Sequence, residues 1–563
     1  MKRIIPVLIA VVLIAVVAAV GVGARLMEKY SYSRERADLT EYFDVRGEGD
    51  VPVILQDEQI EEHAKMIDGV CYFDLATVHK YFNDRFYEDK KEGMLLYTLP
   101  DAIVATLIGE NTVSLGGDGS TRDYTIARYE GETLYVAVDF VKEYANFSYT
   151  LYTEPYRMQV YTEWNARQTA TVLKDTQVRY QGGVKSDILT DVSEGTEVIV
   201  LEEMEKWSKV KAEGAFIGYV ENKRLSEQTT VEPVPVTDYT EPIYESNTRD
   251  HKINLAWHVV AGTAGNDTLI PLMQNTKSIN VISPTWFALS DNAGNFTSFA
   301  SENYVDTAHD MGLEVWGLID NFSHEGIDTY EVLAGLSTRQ HLIDGLIETA
   351  LRYGLDGINI DFENISLDAG EPFVEFIREL SIPCRANGIV LSVDNYVPMG
   401  YTDHYNRQEQ GIVADYVIIM GYDEHHRNSD KAGSVASIDF VENGIEATVA
   451  QVPANKVINA IPLYTRIWET KGTTLDSQAV GMDTAKQYLA DHGIVTAWDE
   501  VTCQNYGEYQ SGDSLYQVWM EDEDSIRVKL NIMSKYGIAG VAEWQLEFAS
   551  DSVWDVIAEY MNQ

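Results

Sequence analysis

From about residue 249 to residue 563, short apolar runs alternate with amphipathic stretches, and this alternation constrains the fold more than any other feature of the chain. Runs with strand character start at Ile253, Ile279, Leu313, Gly357, Ile389, Tyr416, Val457 and Gly540. Strands that alternate with helix-length segments are the signature of an α/β chain. Eight of them in about 315 residues predict a (β/α)8 TIM barrel, whose chemistry sits at the carboxy-terminal strand ends. The interval from Tyr464 to Trp519 exceeds an ordinary crossover. It reads as an insertion after the seventh strand that builds one wall of a groove.

The fourth run, Asp356-Gly357-Ile358-Asn359-Ile360-Asp361-Phe362-Glu363, carries the chemistry. Side chains on a strand alternate faces with a period of two. Asn359, Asp361 and Glu363 therefore share one face, while Ile358, Ile360 and Phe362 share the other. Two acids side by side at the end of a buried strand are costly unless they are paired or used. Hydrolysis of sugar bonds is the chemistry that most often needs such a pair.

At 563 residues the chain is too long for one core, and three or four domains are expected. A hydrophobic fraction of 45% and 34 tyrosines mark it as globular. A net charge of −47 excludes nucleic acid as a partner and disfavours adsorption to anionic lipid. Ile4 to Ala24 is an uncharged apolar run behind Lys2 and Arg3, about long enough to cross a bilayer at ~1.5 Å per residue. Val22-Gly23-Ala24 matches a signal-peptide exit only loosely. Residues 1–24 are therefore expected to be an uncleaved single-pass anchor in the cell membrane with the remainder outside the cytoplasm, the alternative being a secreted protein. Cys71, Cys384 and Cys503 are the only cysteines and lie far apart. They offer neither a disulfide framework nor metal-ligand spacing, so no metal and no cofactor are expected.

Between anchor and barrel the chain divides by pattern. Residues 25–50 read as a juxtamembrane linker. Residues 51–163 contain an internal repeat: Tyr72, Val78, Tyr81, Asn83 and Phe86 recur 63 positions later as Tyr135, Val141, Tyr144, Asn146 and Tyr149. Each copy reads as strand, amphipathic helix, strand, an α+β module. It resembles the duplicated module named after the amino-terminal domain of copper amine oxidases, without implying copper, since His63 and His79 are too few to form a site. Residues 168–227 read as several short strands, among them Glu197–Leu201 and Gly218-Tyr219-Val220. The order Val178, Gly195, Val198, Trp207, Val210, Gly218, Leu225 resembles a bacterial SH3-type domain, a small all-β barrel. Residues 228–248, rich in proline and acid, read as a semi-extended linker to the catalytic barrel at 249–563.

The barrel region resembles glycoside hydrolase family 18 in three separate motifs. These are the fourth-strand acids, Met420-Gly421-Tyr422-Asp423 on the sixth strand, and Glu543-Trp544-Gln545-Leu546 on the eighth. The resemblance implies Glu363 as general acid, Asp361 as support for the substrate's 2-acetamido group, and Tyr422 as a hydroxyl on the same group. Trp544 would floor the distorted sugar, with Met420 and Asp423 lining the site. It also implies substrate-assisted retaining hydrolysis, in which the acetamido oxygen attacks the anomeric carbon and no protein nucleophile is needed. Anionic Asp361 is expected to raise the pKa of Glu363 by like-charge repulsion.

Asn359 departs from the commoner family pattern, which has Asp there. Asn cannot titrate, and it is expected to hold Asp361 ionised and oriented. With Tyr464–Trp468 and Val518–Asp522, it looks like the branch acting on spore cortex and cell wall. The implied partner is peptidoglycan or another N-acetylglucosamine glycan. Chitin and N-glycans are alternatives within the enzyme class, and a non-catalytic glycan-binding protein is the alternative outside it. Asp356 is either a substrate-facing acid or a cap on the strand. Tyr396, Trp257 and Trp286 either stack on sugars or pack in the core.

Overall fold

The computed structural model describes residues 5–235, 237 and 239–563. Contacts group the chain into two compact units. One comprises Met1–Phe86, Thr106–Val113 and Ser120–Glu241; the other comprises Tyr87–Ala105, Ser114–Gly119 and Pro242–Gln563.

The second unit is built on a closed parallel barrel. Its strands are β1 (Ile253–His258), β2 (Val281–Pro284), β3 (Glu314–Asp320), β4 (Gly357–Asp361), β5 (Val390–Tyr396), β6 (Tyr416–Met420), β7 (Val457–Pro462) and β8 (Gly540–Trp544). Every start lies within two residues of the position expected from the sequence. Neighbours pair in the order β2-β1-β8-β7-β6-β5-β4-β3, and β3 pairs back onto β2 to close the ring. The period-two rule sorts the side chains into two cores. Ile253, Leu255, Trp257, Trp316, Leu318, Ile418, Ala460 and Ala542 fill the interior. Ile358, Ile360 and Phe362 of the β4 region join the larger cluster between the wall and its helices. Asn359 and Asp361 are thereby left facing inward. Helices α1 (Leu336–Tyr353) and α2 (Gly370–Asn387) flank β4 and are joined by a fully buried ion pair, Arg339 Nη2 to Glu379 Oε1 at 2.8 Å.

Between β7 and β8, residues 464–520 form a five-stranded antiparallel sheet that carries helix Met482–His492, matching the expected insertion. Residues 87–105 also cluster with the barrel, so the expected 51–163 module is divided. Buried Asp89 explains part of this: its Oδ2 accepts from the Leu336 N–H at the start of α1 at 2.6 Å, a favourable place for a carboxylate. Thr98 Oγ1 donates to buried Glu375 on α2 at 2.5 Å. The expected linker is shorter than 228–248. Thr229–Val231 is a strand paired with Arg167–Thr169, and Asn247 N donates to Asp415 Oδ1 at 2.6 Å. Within what remains of it, Val236 and Asp238 lie outside the described residues.

In the first unit, helix Ile5–Tyr30 is exposed at its described side chains and is long and apolar enough to cross a membrane. It continues past residue 24, while Lys2, Arg3 and Ile4 lie outside the described residues. Residues 25–50 are not a free linker. Phe43 is buried in the core of the 167–231 sheet, and Tyr42 Oη donates to Ile217 O at 2.7 Å. The repeat is visible as Val70–Asp74 followed by helix Leu75–Tyr81, and Thr133–Ala137 followed by helix Val138–Glu143. The two repeat strands pair antiparallel, Tyr72 opposite Ala137. Residues 167–231 form a seven-stranded antiparallel sheet around Val172, Val178, Val198, Val210 and Val220.

The barrel seam makes a stability prediction. A Cβ on Gly540 would lie 2.0 Å from the Ile253 carbonyl oxygen across the β8–β1 pairing. Backbone cannot yield as a flexible side chain would. Gly540→Ala is expected to destabilise the barrel by at least ~1–3 kcal/mol, the range for overpacking, seen as a lower melting temperature in differential scanning calorimetry.

Candidate active site

Three strand ends bring carboxylates to one level of the barrel mouth. The β3–β4 register pairs Asp320 with Asp361. The β4–β5 register pairs Ile360 with Val393, so Asp394 stands opposite Asp361 on its other side. All three are buried, at 5%, 7% and 2% exposure for Asp320, Asp361 and Asp394. Glu363 follows two residues beyond the end of β4 and is partly exposed.

Each carboxylate is held differently. Asp320 accepts from the Phe322 and Ser323 N–H groups at 3.0 and 2.8 Å and from Ser323 Oγ at 2.8 Å. Glu363 has its backbone clamped by Asn321, which accepts from Glu363 N at 2.8 Å and donates to Glu363 O at 2.9 Å. Tyr396 Oη donates to Glu363 Oε2 at 2.6 Å. Asp361 Oδ1 is buried with no hydrogen-bond partner.

Asn359 corrects the expectation placed on it. Its Oδ1 accepts from Trp257 Nε1 at 2.9 Å and Ser283 Oγ at 3.3 Å. Its Nδ2 donates to Ser392 Oγ at 3.0 Å and Asp394 Oδ1 at 2.9 Å. All four hydrogen-bonding positions of the amide are filled, and the carboxylate it holds is Asp394, not Asp361.

The electrostatics follow from burial. Burial chiefly raises the Glu363 pKa, the Tyr396 hydrogen bond opposes it, and Asp423 and Asp320 add to it. The expected contribution of Asp361 is thus not the leading one. Asp361 itself is pushed well above the usual carboxylate range by burial, then by Asp394, Glu363 and Asp320, so it is not the plain anion expected from the sequence. Asp394 is raised by burial and by Glu363, against the Asn359 hydrogen bond.

Of the remaining expected residues, Tyr422 lies just past β6 and packs on the interior cluster. Burial raises its pKa, as do Asp361, Tyr464, Asp394 and Glu363, which places its hydroxyl in the field of the acids. Met420 ends β6, partly exposed. Asp423 has a left-handed φ of 59° and accepts from Tyr464 Oη of the insertion at 2.5 Å. Trp544 ends β8 and makes an edge contact with Trp257, ring centroids 5.9 Å apart. Asp356 is a correction: it precedes β4, at the opposite end of the strand from Glu363. Its Oδ2 lies 2.8 Å from His309 Nε2 and accepts from Val315 N at 2.8 Å, the contacts of a cap. Trp257 and Trp286 are buried, and the Tyr396 hydroxyl holds Glu363.

Asp394, Asp320, Asn321 and Ser283 were not singled out from the sequence. Ser392, Asp394 and Tyr396 alternate with Leu391, Val393 and Asn395 on β5, and the rule used for β4 would have marked them. Among the described residues no group of three or more His, Cys, Asp or Glu is arranged to hold a metal ion. His425 of the His425-His426 pair lies 2.8 Å from the Ser434 carbonyl through Nδ1.

An inward acid with a raised pKa, a neighbouring inward carboxylate, a tyrosine hydroxyl and a partly buried tryptophan at one barrel mouth define a glycosidase-type centre. The model of the family described as "Glycosyl hydrolases family 18" matches residues 253–549, more than half of the chain. The chain belongs to that family, and its barrel is that of a hydrolase acting on glycosidic bonds. Relatives in Bacillus subtilis (strain 168) include YdhD, named as a sporulation-specific glycosylase, 30% identical over 265 residues, 43% of this chain and 60% of that protein. A "Cortical fragment-lytic enzyme" from the same organism is 24% identical, covering 40% of this chain and 54% of its own length. The matches thus span only part of these two relatives. Among solved structures, the Bacillus cereus spore cortex-lytic enzyme SleL aligns with a TM-score of 0.50 at 20% identity, covering 56% of this chain and 75% of that one. The Chromobacterium violaceum chitinase aligns with a TM-score of 0.50 at 23% identity, covering 55% and 99%. Both likenesses speak to the fold.

Tyr396→Phe removes a hydrogen bond that favours the carboxylate form of Glu363. The Glu363 pKa should rise further, so the alkaline limb of the kcat profile, where the acid loses its proton, should move to higher pH. The kcat itself should fall about tenfold, in line with the ~1.5 kcal/mol of a hydrogen bond to a charged group. Initial rates from pH 4 to 9 check both.

Proposed function

We propose that the chain is a membrane-anchored, exported glycosidase that hydrolyses N-acetylglucosamine linkages in peptidoglycan, with Glu363 as general acid. The observation that carries this reading is the Glu363–Tyr396 pair set beside a row of buried carboxylates. Burial raises the Glu363 pKa, the direction that a proton donor to the leaving oxygen requires. Asp361 Oδ1 is closed to solvent and has no protein partner, while the residue keeps 7% exposure, through which the substrate's acetamido N–H reaches the carboxylate. The acetamido oxygen then closes on the anomeric carbon, the glycosidic bond breaks, and the Glu363 proton passes to the leaving oxygen. Tyr422 presents a hydroxyl and Trp544 an apolar face to the sugar. Glu363, now ionised, takes a proton from the incoming water, and the ring opens with retained configuration.

Peptidoglycan is favoured over chitin by the relatives named for spore cortex and sporulation, together with Asn359 in the fourth-strand motif. The exposed helix Ile5–Tyr30 supports an anchor. In this reading the antiparallel sheet at 167–231 is an SH3-type module, the repeat is of the copper-amine-oxidase-amino-terminal type, and both serve as wall-contact or spacer elements.

Purified peptidoglycan digested with the chain lacking residues 1–30 is expected to release new reducing N-acetylglucosamine ends, identified by mass spectrometry. Glu363→Gln is expected to lower their yield by at least about 10²-fold, the lower range for a general acid. Equal yields from the two proteins would defeat the proposal, and turnover of chitin oligomers with intact peptidoglycan would transfer the assignment to chitin.

A further inference from the structure

We propose that Asp394 on β5 is the proton-sharing partner of Asp361, so that one proton is held between β4 and β5. This deepens the functional reading above and rests on its placement of Asp361 at the reaction centre.

The register carries the argument. Asn359 pairs with Ser392 and Ile360 with Val393, so Asp361 and Asp394 follow as opposed residues on one inward face. Adjacent strands lie ~4.8 Å apart. Asn359 cannot give up a proton, and its four hydrogen bonds pin its N–H toward Asp394 Oδ1. Asp394 is therefore held in place by a group that never titrates. The other groups that act on the pair are Asp320, Glu363 and the Tyr422 and Tyr405 hydroxyls, with Tyr396 and Asp423 acting on Glu363. No cation is among them. Two carboxylates so close in a dry site cannot both ionise without one, and a proton is the neutralising charge at hand.

The step balances without any other reagent. In the resting site the shared proton lies toward Asp361. When the substrate's acetamido N–H is presented to the Asp361 carboxylate, the O–H bond of Asp361 breaks and an O–H bond forms on Asp394. Asp361 becomes the anion that faces the growing positive charge of the cyclised acetamido group, while the net charge of the pair stays constant. Hydrolysis of the intermediate reverses the transfer. Asp394 acts through Asp361 and is a positioning residue.

The test uses Asp394→Asn, and Asp394→Asn with Asn359→Asp, in the full chain. Rates are read on 4-nitrophenyl N-acetyl-β-chitobioside and on peptidoglycan. In the single variant an amide N–H would pin Asp361 away from the substrate. The expected result is a fall in kcat of about 10²-fold with KM within about threefold, and an acid limb moved to lower pH because Asp361 has lost a repelling neighbour. The double variant restores a titratable partner on β4 and is expected to recover at least about tenfold. A single variant with wild-type kcat and pH profile would overturn the proposal. So would a double variant no faster than the single one when both melt like wild type. If wild type cuts peptidoglycan and the Asp394 variants cut it at the wild-type rate, this inference alone fails. If the chromogenic substrate shows loss and rescue but peptidoglycan stays intact, the inference stands and the peptidoglycan assignment fails.

Discussion

Carboxylates gathered where water is scarce cannot all carry charge, and the mouth of this barrel is organised around that constraint. Parallel register places Asp320, Asp361 and Asp394 side by side, and Glu363 follows just beyond. The protein meets the problem separately for each. Asp320 is stabilised by two backbone N–H groups and a hydroxyl, Asp394 by the Asn359 amide, and Glu363 by the Tyr396 hydroxyl. Asp361 is the one left with a bare oxygen. A buried acid left unsatisfied among satisfied neighbours is the one most in need of a proton or a donor.

The scaffold keeps this arrangement stiff. Asn359 is tied to three other strands at once, through Trp257 of β1, Ser283 of β2, and Ser392 and Asp394 of β5. Its amide crosses the barrel interior and fixes the level at which the acids sit. Trp257 in turn touches Trp544, so the aromatic floor and the acid row share one support. The insertion joins the same system where Tyr464 donates to Asp423.

Much of this is legible in the sequence. Strand positions could be read because apolar runs bounded by turn residues are local signals, and the period-two rule sorted Ile358, Ile360 and Phe362 from Asn359 and Asp361. What escaped were relations between strands. Nothing along β4 says that the Asn359 amide turns toward Asp394, since that depends on how β4 and β5 are staggered. Asp356 was ambiguous for a related reason: alternation reports which face a residue occupies but not which end of the barrel it serves. The 25–50 and 228–248 segments read as linkers because Phe43 and Thr229–Val231 look unstructured locally and are ordered only by the sheet they join.

Moving a titratable partner from position 359 to β5 changes more than its address. Residues two apart on one strand are separated by ~6.6 Å of rise, whereas opposed residues on adjacent strands are ~4.8 Å apart. Coulomb energy scales inversely with distance, so the cross-strand pair is coupled more strongly at equal burial. The vacated position can then be filled by a group of fixed charge that serves as structure alone. Asn359 does this with every donor and acceptor engaged, separating the function of holding the acids in register from the function of exchanging a proton with them. A strand-internal pair must do both with the same side chain.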